Sequence, residues 1–411
     1  MYDFPEETRN MIWTVVHETP AVDVRVCLNP PFFTPSVSMV DSLLTSPKIL
    51  EEFFRLRAWS QPGLGIDGML NGEAYVRSLT VDELADIVWR QMFVEHTPLS
   101  ETARAVLTSL GLFGFDVGSG DLRLLRERSE ELSAGERLEK SLGLANLDHV
   151  LYPVESMDFL APESEPPSHP AFCPVLGLNQ LLGDWKESAR KLRLLGFGLK
   201  AKVDEFAPME LRRHLAGEIA RLNPIAVSLD WPCGVRIRDD GVGRLVREAL
   251  IPLCREHRLA FVMAVGNPDG SEGPAGGVEE LSSLWDDNPD VNFLLVPAEE
   301  EQLSTAVAAA GRRRNLLLCG PDRPFSGPVG MKGFTACRLE RLGASFHYCH
   351  SGAATVEELA GCWAHHRWTL GETLLGRYSE LWRTGWRFGE AEVRRDVVAL
   401  LGGNARMFLG M

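Results

Sequence analysis

The chain has no Cys-x-x-Cys pair, no apolar run long enough to span a bilayer, and too little positive charge to balance its acids. Its eight cysteines, at 27, 173, 233, 254, 319, 337, 349 and 362, are scattered. Reduced thiols filling small core spaces fit that spacing better than a disulfide framework or a structural zinc site. Lys and Arg number 42 against 57 Asp and Glu, a formal net charge of -15. Nucleic acids and anionic membrane surfaces demand a concentrated basic footprint, so neither is an expected partner, and small molecules are. The opening MYDFPEETRN lacks both a basic segment and an apolar core of the kind that directs secretion, which predicts a cytoplasmic protein. What is present is ordinary for a folded protein: 411 residues, 45% hydrophobic and 24% charged, enough for one large core or two smaller ones.

After residue 145 short apolar runs recur: HVLYPV (149–154), FCPVLGL (172–178), GFGLKAKV (196–203), IAVSLDW (225–231), LAFVMAVG (259–266), NFLLVPA (292–298), NLLLCG (315–320) and SFHYCH (345–350). Amphipathic stretches separate most of them, as in GVGRLVREALIPLCREHR, with Val242, Leu245, Val246, Ala249 and Leu253 on one face. Strands alternating with helices predict parallel βαβ units. With AVDVRVCL at 21–28 there are nine candidate strands for the eight places of a closed (β/α)8 TIM barrel, so either 196–203 or 225–231 is expected outside it, 196–203 being favoured. Residues 38–145 read differently. TVDELADIVWRQMF opens with a capping-box pattern, Thr80 to Glu83, and SETARAVLTSLG reads as a helix closed by Gly111. The expected organisation is a first barrel strand within 1–37, a helical insertion over 38–145, and the rest of the barrel over 146–411. APESEPPSHP (161–170) reads as a loop after the second strand, and the Gly-rich GNPDGSEGPAGG (266–277) as a flexible loop over the pocket, since it lacks a phosphate-loop ending.

Barrel chemistry sits at the C-terminal ends of the strands. In AVDVRVCLNP the even positions, Val22, Val24, Val26 and Leu28, are apolar, whereas the odd ones carry Asp23, Arg25 and Cys27. Alternation therefore turns a guanidinium and a thiol away from the apolar face. The other strand ends supply Glu155, Asn179, Asp230, His347 and His350.

The order of elements and several runs resemble the uronate isomerase (glucuronate isomerase) family of the amidohydrolase superfamily. They are PAVDVRVCLNPPFF, FVEHTPLSETARAVLTSLGLFGFD, LANLDHVLYPVESMD, FCPVLGLNQLL, NPIAVSLDWP, RLERLGASFHYCHSGAATVEELAGCWAHHR and RRDVVALLGGNARMFLG. The resemblance implies a barrel that binds a divalent metal such as zinc and interconverts aldose and ketose forms of a hexuronate. It also implies a His-x-His pair at the end of the first strand, where this sequence has Arg25 and Cys27. An aspartate is implied in the last strand, where this sequence has Gly352, with Ala354 in the place of an arginine. The family's Arg-x-Asp in the third strand is here Gly177-Leu178-Asn179, an aspartate of the second strand is Glu155, and the Trp-rich turn after the seventh is GPDRPFS.

A guanidinium has no lone pair for a cation and stays protonated. The expectation is therefore no bound metal and no cofactor. The candidate ligand-binding residues are Arg25, Cys27, Glu155, Asn179, Asp230 and His350, with catalytic residues unassigned. Arg25 suits either of two roles: a fork holding a ligand carboxylate, or a structural ion pair with Asp23, Glu155 or another barrel acid. Cys27 reads most simply as a buried inert thiol. Strand parity turns His350 to the pocket and His347 away, so the two would not share a metal. His365 and His366 fall on a helix as packing or surface groups, and Lys200 and Lys202 as solvated charges. Two functions remain open: a degenerate uronate isomerase-like protein that binds a sugar acid or small anion, or an active isomerase with a rebuilt site. A homo-oligomer is expected.

Overall fold

A computed structural model of the chain describes residues 4–28, 37–60, 79–156, 169–231, 235–239, 241–266, 277–298, 300–321 and 328–411. Most of the loop at 161–170, most of the loop at 266–277 and most of GPDRPFS lie outside the described residues. The chain divides into two compact units. The first comprises residues 1–26, 147–352 and 369–411; the second comprises 27–146 and 353–368.

The first unit is a (β/α)8-type barrel. Seven strands pair in parallel and in chain order: β1 (Ala21–Asp23), β2 (Leu147–Glu155), β3 (Phe172–Gly177), β4 (Ala226–Asp230), β5 (Ala260–Val265), β6 (Phe293–Pro297) and β7 (Leu316–Leu318). Period-2 alternation sends Val22, Leu151, Val175, Val262, Leu294 and Leu317 into one interior cluster. The small Ala226, Ala260 and Ala264 share it, as do Ala405 and Leu409 of the helix Asn404–Leu409. As expected, 196–203 forms no strand, and β4 takes the place in the sheet.

Two expectations about strands are corrected. The opening strand ends at Asp23, so alternation does not carry through to Cys27. The eighth run, 345–350, is not a regular strand. It nevertheless fills the eighth place: His347 N–H donates to the Leu318 carbonyl of β7, and Gly352 N–H donates to the Arg25 carbonyl. Between these bonds the ladder is diverted. Tyr348 N–H donates to the Leu400 carbonyl, and Ser351 N–H to the Asp23 side chain. Gly352 adopts a φ of 54°, outside the strand region.

The second unit is helical. Its core joins Met39, Leu43, Phe53, Trp89, Leu110 and Ala360. The capping box forms as read: Glu83 N–H donates to Thr80 Oγ1 and Thr80 N–H to the Glu83 carboxylate. The next helix is Glu101–Leu112, so Gly111 lies inside it; Gly114, at φ 88°, takes the left-handed turn instead. His365 bonds Glu101 and Thr108 on that helix, and His366 is buried against Trp363, consistent with packing roles.

Candidate functional site at the barrel mouth

Glu155, Gly177 and Asp230 are the last residues of β2, β3 and β4, which places all three at the C-terminal mouth. Asn179 opens the short helix Asn179–Gly183 that follows β3. Arg25 stands two residues beyond β1, its N–H donating to Asp23 Oδ1 at 3.3 Å and its carbonyl accepting from Gly352.

The arginine side chain reaches Asp230, at the end of β4. Its Nη1 donates to Asp230 Oδ1 at 2.7 Å and its Nη2 to Oδ2 at 3.1 Å. This two-point fork matches guanidinium to carboxylate geometry. Both side chains are largely shielded, with relative exposures of 14% and 26%. Asn179 fixes the acid from the other side. Its Nδ2 donates to Asp230 Oδ2 at 3.1 Å, and its Oδ1 accepts the Asp230 backbone N–H at 2.7 Å.

Glu155 lies across β3, where Gly177 leaves room for it: a Cβ on Gly177 would stand 2.6 Å from Glu155 Oε1. Glu155 Oε2 accepts the Gln180 N–H at 3.0 Å, one residue from Asn179. Arg25, Asp230, Asn179 and Glu155 are thus gathered into neighbouring hydrogen-bonded groups.

The remaining candidates are placed differently. Cys27 belongs to the helical unit and is exposed, which corrects the expectation of a buried thiol. Its N–H donates to the Ala353 carbonyl at 2.8 Å. His350 and His347 are both buried, and 345–350 is no regular strand, so strand parity does not assign their directions. Burial, with His350 and Arg338 adding, pushes His347 down to about 3, so its imidazole is neutral near pH 7. Lys200 and Lys202 are exposed, and Lys200 pairs with Asp204.

Two residues that matter here were not candidates. Asp23 is fully buried and holds Ser351; its signal was an acid inside an apolar strand. Arg338 is fully buried on the helix Pro328–Leu342, donating to the His347 and Tyr348 carbonyls beneath the Phe334 and Phe346 rings. Its helix gave no such signal in sequence.

No family model matches the chain, and no curated protein does either. Solved structures do. A uronate isomerase from Bacillus halodurans C-125 is similar with a TM-score of 0.87 and 25% identity, over 100% of this chain and 98% of that one. Over its whole length the chain resembles a solved uronate isomerase. A uronate isomerase from Thermotoga maritima (TM-score 0.71, 11% identity, 99% and 98% covered) shares the fold. So does a glucuronate isomerase from Caulobacter crescentus (0.62, 12%, 99% and 95%).

The resemblance implies a divalent metal, and the donors at the corresponding places do not fit one. Arg25 brings a fixed positive charge, Gly352 brings no side chain, and both Asp230 oxygens already face the guanidinium. Among the described residues no group of three or more His, Cys, Asp and Glu is arranged to hold an ion. What the mouth holds is the Asp230 carboxylate itself, on a partly desolvated arginine.

Proposed function

We propose that this uronate isomerase-like barrel does not perform the metal-dependent isomerisation and retains a pocket for a sugar acid or small anion, acting as a binding protein. The observation that carries this reading is the Arg25–Asp230 fork. Moving a proton between C1 and C2 of an aldose requires a base and a polarised carbonyl. Here the cation is a guanidinium already matched to an acid, and the Glu155 carboxylate is engaged by Gln180 N–H. We further propose a cytoplasmic location and self-association, with neither nucleic acid nor membrane as partner; no helix among the described residues is long and apolar enough to cross a membrane.

Full-length coverage of the Bacillus halodurans uronate isomerase favours a second reading, an active isomerase with a rebuilt site. Elemental analysis of the purified protein, with a coupled assay on D-glucuronate and D-galacturonate, separates the two. The expected result is no stoichiometric zinc or manganese and no turnover above background. Metal-dependent turnover overturns the proposal.

A further inference from the structure

The Arg25–Asp230 pair joins strand ends that are not neighbours. β2 and β3 lie between β1 and β4 in the sheet, so the bond reaches across the mouth rather than along the rim. Each partner is anchored independently. Arg25 is tied through its N–H to Asp23 and through its carbonyl to Gly352, and Asp230 is tied through its N–H and its carboxylate to Asn179. Removing the Asp230 carboxylate therefore vacates the position that both Nη atoms of Arg25 face.

We propose that Asp230 is an internal competitor, a side-chain carboxylate occupying the position on Arg25 that a ligand carboxylate takes. This rests on the reading of the mouth as an acid-binding pocket and names its ligand class: monocarboxylates, sugar acids among them, bound through both oxygens. The two-point geometry of the pair is the geometry by which arginine recognises any carboxylate. A ligand binds Arg25 only in the fraction of molecules whose internal pair is open, so its apparent affinity falls by that fraction. The partial exposure of both side chains leaves an approach for exchange. The prediction runs against intuition: deleting an acid from the pocket strengthens binding of an acid.

Chemical rescue with acetate tests this. The melting temperature of Asp230→Ala is followed against sodium acetate, with sodium chloride at equal ionic strength as control. Acetate is expected to raise it well beyond chloride, with no acetate-specific shift in wild type or in Arg25→Met/Asp230→Ala. If Asp230→Ala does not fold alone, acetate-dependent recovery on refolding reads the same exchange. Calorimetry on Asp230→Asn, which keeps the side chain's shape, is expected to give D-glucuronate binding at least ~10-fold tighter than wild type. Identical responses to the two salts, or glucuronate affinity unchanged in Asp230→Asn, overturn the proposal. Metal content and turnover of the wild type bear only on the functional reading, so the two fail separately.

Discussion

Both carboxylate oxygens of Asp23 accept the backbone N–H of Ser351, at 3.1 and 3.2 Å, although 328 positions separate the two residues. A fully buried acid on the first strand thereby holds the segment that closes the barrel, and it does so where a ladder bond would otherwise be. Asp23→Leu removes both acceptor oxygens and leaves that N–H unsatisfied. A loss of about 1–3 kcal/mol in urea unfolding is expected, the cost of leaving buried polar groups unsatisfied. Unchanged stability would show that the closure does not depend on this bond.

Arg25 and Asp230 should show coupling in a double-mutant cycle. Arg25→Met leaves a shielded carboxylate, Asp230→Asn leaves a shielded guanidinium, and the double variant leaves neither. Because the pair is only partly buried, an interaction energy of about 1–3 kcal/mol is expected, between the surface and fully buried limits. Simple additivity of the two losses would argue against a structural role for the fork.

Gly352 sits at φ 54°, where an added Cβ is strained. Gly352→Ala is expected to cost about 1–2 kcal/mol, read as a lowered urea midpoint at constant m-value.

A side chain at Gly177 collides with Glu155. Gly177→Ala is expected to push the Glu155 carboxylate off the Gln180 N–H and lower the melting temperature. Gly177→Ala/Glu155→Ala should lose less than the sum of the single variants, because removing the carboxylate relieves the clash. Full additivity would place the cost of Gly177→Ala in the backbone.

His347 predicts a pH dependence. Burial holds its folded-state value down at about 3, against the usual 6.5, so between those values the unfolded chain binds the extra proton. Its contribution to stability is complete above pH 6.5 and is lost progressively as pH falls towards 3. Thermal melts of wild type and His347→Leu from about pH 8 down to about pH 4 check this; the acid-side slope should be shallower in the variant. Parallel curves would assign the acid lability to other groups.

The sequence by itself determined the periodic features. Alternating apolar residues with helical spacers specify parallel strand–helix units, and Thr80 with Glu83 specifies a helix start, because such patterns depend on residues a few positions apart. Strand ends also placed Arg25, Glu155 and Asp230 at one rim before any partner was known, although Gly111 was misread as a helix end. Only the tertiary structure decided that the Arg25 guanidinium meets Asp230, 205 positions away. The curl of the sheet brings β1 and β4 to face each other, a relation that no local pattern encodes. The same holds for the eighth place of the barrel. SFHYCH has strand composition, yet Tyr348 and Ser351 give their N–H groups to Leu400 and Asp23, so long-range hydrogen bonds override local preference there.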